Sequence, residues 1–157
     1  MQREDFSGTA NQNRDVVFRK VCFENIEQMK CKFPNRYKEF CRNLTHGEGV
    51  FLFCGEEIVG YGWLKKKRCK DPFYKIGENV AYLSSFFVEE SWRGKGLYPA
   101  MISFLIENAP EYDRFYISAY STNKSSIRGL LKVGFSLTET IVFSRFLKTT
   151  INKYKLK

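Results

Sequence analysis

The chain has 157 residues, 43% of them hydrophobic and 17% aromatic, enough to close one packed domain rather than stay disordered. Its formal net charge of +9 draws anions, a class that includes nucleic acid, anionic lipid and polyphosphate ligands. The 5 cysteines form no Cys-x-x-Cys pair and His46 is the single histidine. This argues against a structural metal and for reduced thiols in a cytoplasmic protein.

Residues 1–14 are polar, lack the apolar stretch of a signal peptide, and read as a disordered lead-in. A β-branched and aromatic run at 16–21 predicts a first strand. Helices are expected over 25–32 and 35–43, with Pro34 between them and a turn at 46–49. Runs 49–54 and 58–64 predict a hairpin around Gly55, Glu56 and Glu57, and a charged loop follows over 65–77. The run 80–88 is almost wholly apolar and predicts a strand buried on both faces. It is also far shorter than the ~20 residues of a membrane helix.

A Gly-rich loop at 89–96 leads into a helix over 99–108, whose Pro99 is tolerated in the first turn. A strand at 114–120 and a helix at 123–133, stopped by Gly134, come next. One or two strands over 135–147 end the domain, which is taken as 15–150, and 151–157 read as a basic, solvated tail. Strand and helix alternate through the second half, so the fold class is α/β with a mixed sheet.

The segment from Phe86 to Tyr98 concentrates the chemistry. A buried strand runs into a basic turn holding Gly94 and Gly96, and a helix starts at once. Glycines let backbone approach a ligand, and the N–H groups of a helix start attract anions. Arg93 and Lys95 add charge. The phosphate loop of nucleotide hydrolases needs Gly-Lys-Ser/Thr, whereas Leu97 follows Gly96 here. The dinucleotide fingerprint needs three glycines at its own spacing, and Gly94 and Gly96 supply two.

This segment resembles the acetyl-CoA loop of the GCN5-related N-acetyltransferases, Arg/Gln-x-x-Gly-x-Gly/Ala. Arg93 and Gly96 match it in the variant Arg-Gly-x-Gly, and Val88 stands at the family's strand-end valine. A second family pattern, an Asn, a small residue three later and a closing Gly-Phe, matches Asn123, Ser126, Gly134 and Phe135. The resemblance covers residues 50–147 well and the first 50 loosely. It implies a single domain with a largely antiparallel, twisted sheet of six to seven strands and about four helices. It also implies acetyl-CoA as cosubstrate. Main-chain groups of Phe86, Phe87 and Val88 would pair with the pantetheine arm where two central strands splay at a bulge. N–H groups of Arg93, Gly94, Lys95, Gly96, Leu97 and Tyr98 would hold the pyrophosphate. Asn123, with Ser126, would lie near the thiol end, and an N–H near Val88 would serve the oxyanion.

Two positions depart from the family. Tyr98 replaces the last small residue of the loop, so its ring either turns away or meets the ligand. Leu130 stands where many members carry the tyrosine that protonates the leaving thiolate. Candidates for proton handling are Glu78 and Tyr82, Ser84 as a water-binding group, and Tyr120 as the acid of the thiolate.

The segments 93–99 and 126–129 resemble the variant found in members that acetylate amino sugars. A small-molecule amine is therefore the expected acceptor. Protein or tRNA-linked amines, or a non-catalytic acyl-CoA-binding domain, stay open. No RNA-binding motif occurs, and the final strand offers an edge for pairing between two copies.

Overall fold

The computed structural model describes residues 16–66, 79–144 and 149–155. The expected lead-in, most of the charged loop and Glu78 lie outside the described residues.

Strand β1 (Val16–Lys20) pairs antiparallel with β2 (Gly47–Cys54), and β2 forms the expected hairpin with β3 (Glu57–Lys65). β3 pairs antiparallel with β4 (Val80–Val88), and β4 pairs parallel with β5 (Arg114–Ile117). The five strands thus lie in chain order in one mixed sheet. β6 (Glu139–Ser144) and β7 (Thr149–Lys155) make a separate antiparallel pair. Among the described residues seven strands form, divided between two sheets. β7 takes up residues that the sequence reading assigned to a tail from 151.

The helical first half is more broken than its sequence suggests. α1 (Phe23–Ile26) and α2 (Gln28–Lys32) replace one helix. α1 begins before Asn25 because the Asn25 side chain accepts from the Cys22 N–H and donates to the Lys20 carbonyl, both at 2.8 Å. A 3-10 turn at Pro34–Arg36 leads into α3 (Tyr37–His46). The expected turn at 46–49 is absent. Gly47 pairs with Lys65 and the Lys66 N–H donates to the His46 carbonyl at 3.0 Å, so the ladder begins where the helix stops.

Two apolar clusters sandwich the sheet. One face carries Phe51, Phe53, Tyr61 and Trp63 under Ile26, Met29 and Phe40 of α1–α3. Phe40 is fully buried, with its ring stacked on Trp63 at 5.7 Å and edge-on to Tyr61 at 4.8 Å. The other face carries Val50, Leu52, Ala81 and Leu83 under Leu97, Met101, Ile102 and Leu105 of α4 (Leu97–Glu107). Leu130 of α5 (Lys124–Lys132) joins that cluster. α4 is the crossover that makes β4 and β5 parallel.

Candidate active site

The site is built where β4 and β5 part. At their closed end, the Asp113 and Arg114 N–H groups donate to the Asn79 carbonyl at 3.1 and 3.2 Å. The ladder then runs from Val80↔Arg114 to Leu83↔Ile117 and stops. β5 ends at Ile117, three residues before the strand end read from sequence, because β4 turns away and offers 118–120 no partner. From Ser84 to Val88, β4 keeps β3 on one side and is half-buried. Burial on both faces therefore holds for Ala81, Tyr82 and Leu83 and fails beyond them.

The divergence has a local cause. Tyr61 pairs with Phe87 and Trp63 with Ser84, so three residue steps on β4 span two on β3. This extra residue is a bulge, which bends a strand and strengthens its twist. Ser85 takes the strain, with φ of 55°, the one positive φ outside glycine among the described residues. Its Oγ donates to Glu39 Oε1 of α3 at 3.0 Å. Neither Ser85 nor Glu39 was singled out from the sequence. The doublet Ser84-Ser85 inside an apolar strand is the signal that was available, since two successive polar residues break the period of two.

Beyond Val88 the chain makes a short 3-10 turn at Glu90–Trp92. It then passes through Gly94 and Gly96, with φ of 78° and 76°, and a Cβ built on either meets nothing within 4 Å. The turn thus uses glycine for its left-handed backbone and leaves open space in front of it. Gly96 caps α4 without a side-chain bond, and its carbonyl accepts from the Ala100 N–H at 3.1 Å. Leu97 and Tyr98 are the first two helical residues, whose N–H groups have no intrahelical acceptor, and Pro99 has no N–H.

The two basic residues of the turn are held locally. Arg93 Nε donates to the Val88 carbonyl at 3.1 Å, and its N–H donates to the Glu90 carbonyl. Lys95 Nζ lies 4.3 Å from the centre of the Trp92 ring. Arg93 thus ties the turn to the strand end, and open space begins at Gly94.

Tyr98 turns away from this space. Ser126 Oγ donates to its hydroxyl at 2.9 Å, and its ring stands edge-on to Phe86 at 5.4 Å. A Cβ on Gly129 would come within 2.8 Å of that ring, so glycine in α5 makes the room. Burial pushes the Tyr98 phenol above its usual range, and the Ser126 bond opposes this. The large residue thus becomes a brace between α4 and α5.

Asn123 is the N-cap of α5. Its Oδ1 accepts from the Ser126 N–H at 3.1 Å and from Ser125 Oγ at 3.0 Å, leaving the amide Nδ2 as its donor. Leu130 is buried in the core at 8% exposure and can hold or release no proton.

On the α3 side of the opening, the Tyr82 hydroxyl and Ser118 Oγ lie 2.5 Å apart, the last cross-link before the strands separate. Ser84 Oγ and Trp63 Nε1, on paired residues, are both buried without a hydrogen-bond partner. Phe87 stacks on Tyr61 at 5.4 Å and belongs to this face, whereas Phe86 and Val88 pack on the α4 face. Tyr120 lies in the loop between β5 and α5, 71% exposed, and not on a strand as expected. A separate cavity of about 330 Å³ is lined by Ile106, Phe115, Ile117, Val133, Phe135 and Leu137, with no β4 residue.

A protein-family model described as Acetyltransferase (GNAT) family matches residues 18–135. The chain belongs to the GNAT acetyltransferases. A spermine/spermidine N(1)-acetyltransferase of Bacillus subtilis (strain 168) is 27% identical over 143 residues, 89% of this chain and 83% of that protein. The aminoglycoside N-acetyltransferase AAC(6')-Iy, solved with the bisubstrate analog CoA-S-monomethyl-acetylneamine, superposes with a TM-score of 0.67. It is 16% identical, with 83% of this chain and 97% of that one covered. An aminoglycoside acetyltransferase from an uncultured soil metagenomic sample, in complex with sisomicin, gives a TM-score of 0.63 at 11% identity. Here 91% of this chain and 97% of that one are covered.

The chain is therefore an N-acetyltransferase of the GNAT type, whose cosubstrate is acetyl-CoA. Its own geometry suits that cosubstrate. The turn of left-handed glycines faces open space, and the neighbouring strand has an edge without a ladder partner. Among the described residues no helix is long and apolar enough to cross a membrane.

Proposed function

We propose that this GNAT enzyme acetylates a primary amine of a small, multiply charged cation of the polyamine or amino-sugar type. The observation that carries the reading is the polar lining on the α3 side of the strand opening. Tyr82, Ser118 and Ser84 put hydroxyl groups beside β4, and Ser84 Oγ, which can accept from an ammonium N–H, lacks a partner within the protein. Buried polar atoms left unpaired cost about 1–3 kcal/mol each, a cost that a polar ligand relieves. The relatives support the acceptor class. One is named for spermine and spermidine, and structural neighbours were solved with an acetylneamine analog and with sisomicin.

The residues then divide by role. The β4 edge at Phe86, Phe87 and Val88 receives the pantetheine arm as an added strand. The N–H groups from Gly94 to Tyr98 hold the pyrophosphate, with Arg93 and Lys95 adding charge. Bound there, acetyl-CoA supplies an acyl thioester as the electrophile. The acceptor nitrogen bonds to the carbonyl carbon, the C–S bond breaks, and the nitrogen gives up a proton. Ser84 and the Tyr82–Ser118 pair offer that proton a path. The N–H near Val88 stabilises charge on the carbonyl oxygen. Asn123 Nδ2 donates near the sulfur, and Tyr120 protonates the thiolate in place of Leu130.

The test is thiol release from acetyl-CoA with spermidine, with an aminoglycoside and with a peptide bearing a free N-terminus. Turnover of spermidine or the aminoglycoside at the higher kcat/KM is expected. A preference for the peptide would move the acceptor to proteins, and binding of acetyl-CoA without release on any amine would remove the catalytic reading.

A further inference from the structure

We propose that Glu39 selects the acceptor by binding a protonated amine other than the one that reacts. The proposal rests on the acceptor class given above and assigns its recognition to one carboxylate.

Glu39 reaches the site from outside the sheet. It lies in the first turn of α3, and its Oε1 accepts from Ser85 Oγ at 3.0 Å. Ser85 is the strained residue of the bulge, at the point where β4 leaves β5. The second carboxylate oxygen remains as an acceptor beside the opening.

Its partner distinguishes Glu39 from the ion-paired carboxylates around the sheet. Glu48 pairs with Lys20 and Lys66, and Glu57 and Glu89 both pair with Lys32. Glu111 pairs with Lys66. Glu39 takes part in no ion pair among the described residues, and its recorded bond is to a neutral hydroxyl. A half-buried carboxylate with an uncharged partner keeps most of its attraction for a cation.

Global charge makes such a group necessary. The chain carries +9, so its long-range field repels a polyamine. A local negative group at short range can outweigh that field, which solvent ions screen beyond about 10 Å. The surroundings of Glu39 suit an amine. Phe40 next to it and Asn43 one turn on are buried, so the carboxylate borders a dry face where its charge is screened less than at the open surface. Tyr61, whose phenol is pushed up by burial, senses both Arg36 and Glu39.

A purely structural role is the alternative, with Glu39 holding the bulge through Ser85. Glu39→Gln separates the two, because glutamine keeps an oxygen for Ser85 Oγ and loses the charge, whereas Glu39→Ala loses both. Spermidine binding is measured by calorimetry with CoA present, and steady-state rates are taken with spermidine and with butylamine, which has one nitrogen. We expect Gln and Ala alike to weaken spermidine binding and raise its KM by ~10-fold or more, in line with a charged hydrogen bond. In Glu39→Gln, which keeps the Ser85 contact, the kcat for spermidine, the KM for butylamine and the Kd of acetyl-CoA should stay within about 3-fold, since one factor of ten is about 1.4 kcal/mol.

A Gln variant that binds spermidine like wild type overturns the proposal, as does an equal loss for spermidine and butylamine. Wild-type protein that binds no spermidine also overturns it. Glu39-dependent binding without thiol release would keep the proposal and sink the proposed activity. Turnover of spermidine unchanged in Glu39→Gln would do the reverse.

Discussion

The two halves of β4 share one apolar run and behave differently. Val80 to Leu83 is paired with β5, Tyr82 and Leu83 are paired with β3 as well, and Ala81, Tyr82 and Leu83 are buried. Ser84 to Val88 is paired on β3 alone, bulged and half-buried. The first half is core, with Leu83 between α4 and the sheet. The second half is a backbone edge held open. What separates them is one inserted residue and a left-handed serine, so one apolar run serves the core at one end and leaves a free backbone edge at the other.

The largest expected effect comes from attacking the closed half. Leu83→Ala removes a fully buried side chain and should cost about 2–5 kcal/mol in chemical denaturation. Acetyl-CoA affinity per folded molecule should hardly change. A selective loss of affinity with stability intact would erase the distinction between the halves.

The next effect belongs to the open half and the turn it feeds. The double variant Arg93→Ala, Gly96→Glu removes the tie to the Val88 carbonyl and puts a strained anion at the helix start. Acetyl-CoA binding by calorimetry should weaken ~100-fold, about 2.8 kcal/mol, from loss of charge, loss of N–H access and like-charge repulsion together. Wild-type affinity in this double variant would place the pyrophosphate elsewhere.

Ser85→Val tests the bulge itself. A β-branched residue at φ of 55° is strained by about 1–3 kcal/mol and lacks the hydroxyl that meets Glu39. The thermal midpoint should fall, and kcat should fall further than the KM for acetyl-CoA rises. An unchanged midpoint would mean that the strain is not stored at Ser85.

The smallest effect concerns the rings on either side of the open half, Tyr98 against Phe86 and Tyr61 against Phe87. Tyr98→Phe should cost about 1 kcal/mol for the lost Ser126 bond and leave acetyl-CoA affinity almost unchanged, because that ring faces α5. Burial raises both phenols above the ordinary value of 10.0. Their contribution to stability is complete below that pH and is lost as pH rises towards the folded-state pKa, since the unfolded chain releases the protons first. Melting curves from about pH 9 to 11 should show the fall, with a shallower slope in Tyr98→Phe. An equal slope would show that the phenol ionises as if exposed.

Much of this was legible beforehand. The order of strands and helices, the hairpin at Gly55, the crossover helix and the glycine turn all rest on local chemistry, in the period of apolar residues, the turn formers and the caps. The family patterns at Arg93–Gly96 and Asn123–Phe135 are local too, so their residues could be named with no structure at all.

Other features depend on what a residue meets across the fold. Whether β4 is buried to its end depends on where β5 stops, and the split of the last two strands into their own pair depends on partners distant in sequence. The sequence leaves Tyr98 two choices, turned away or against the ligand, and Gly129 and Ser126, about thirty positions on, hold it against α5. Glu39 carried no local mark at all, because only packing of α3 on the sheet brings its carboxylate to Ser85, 46 residues away. Sequence by itself determined the order of most elements, the family and the cosubstrate, since these follow from short-range patterns. Tertiary structure decided which half of a strand is core and which is edge, because burial and pairing belong to neighbours that the chain order does not name.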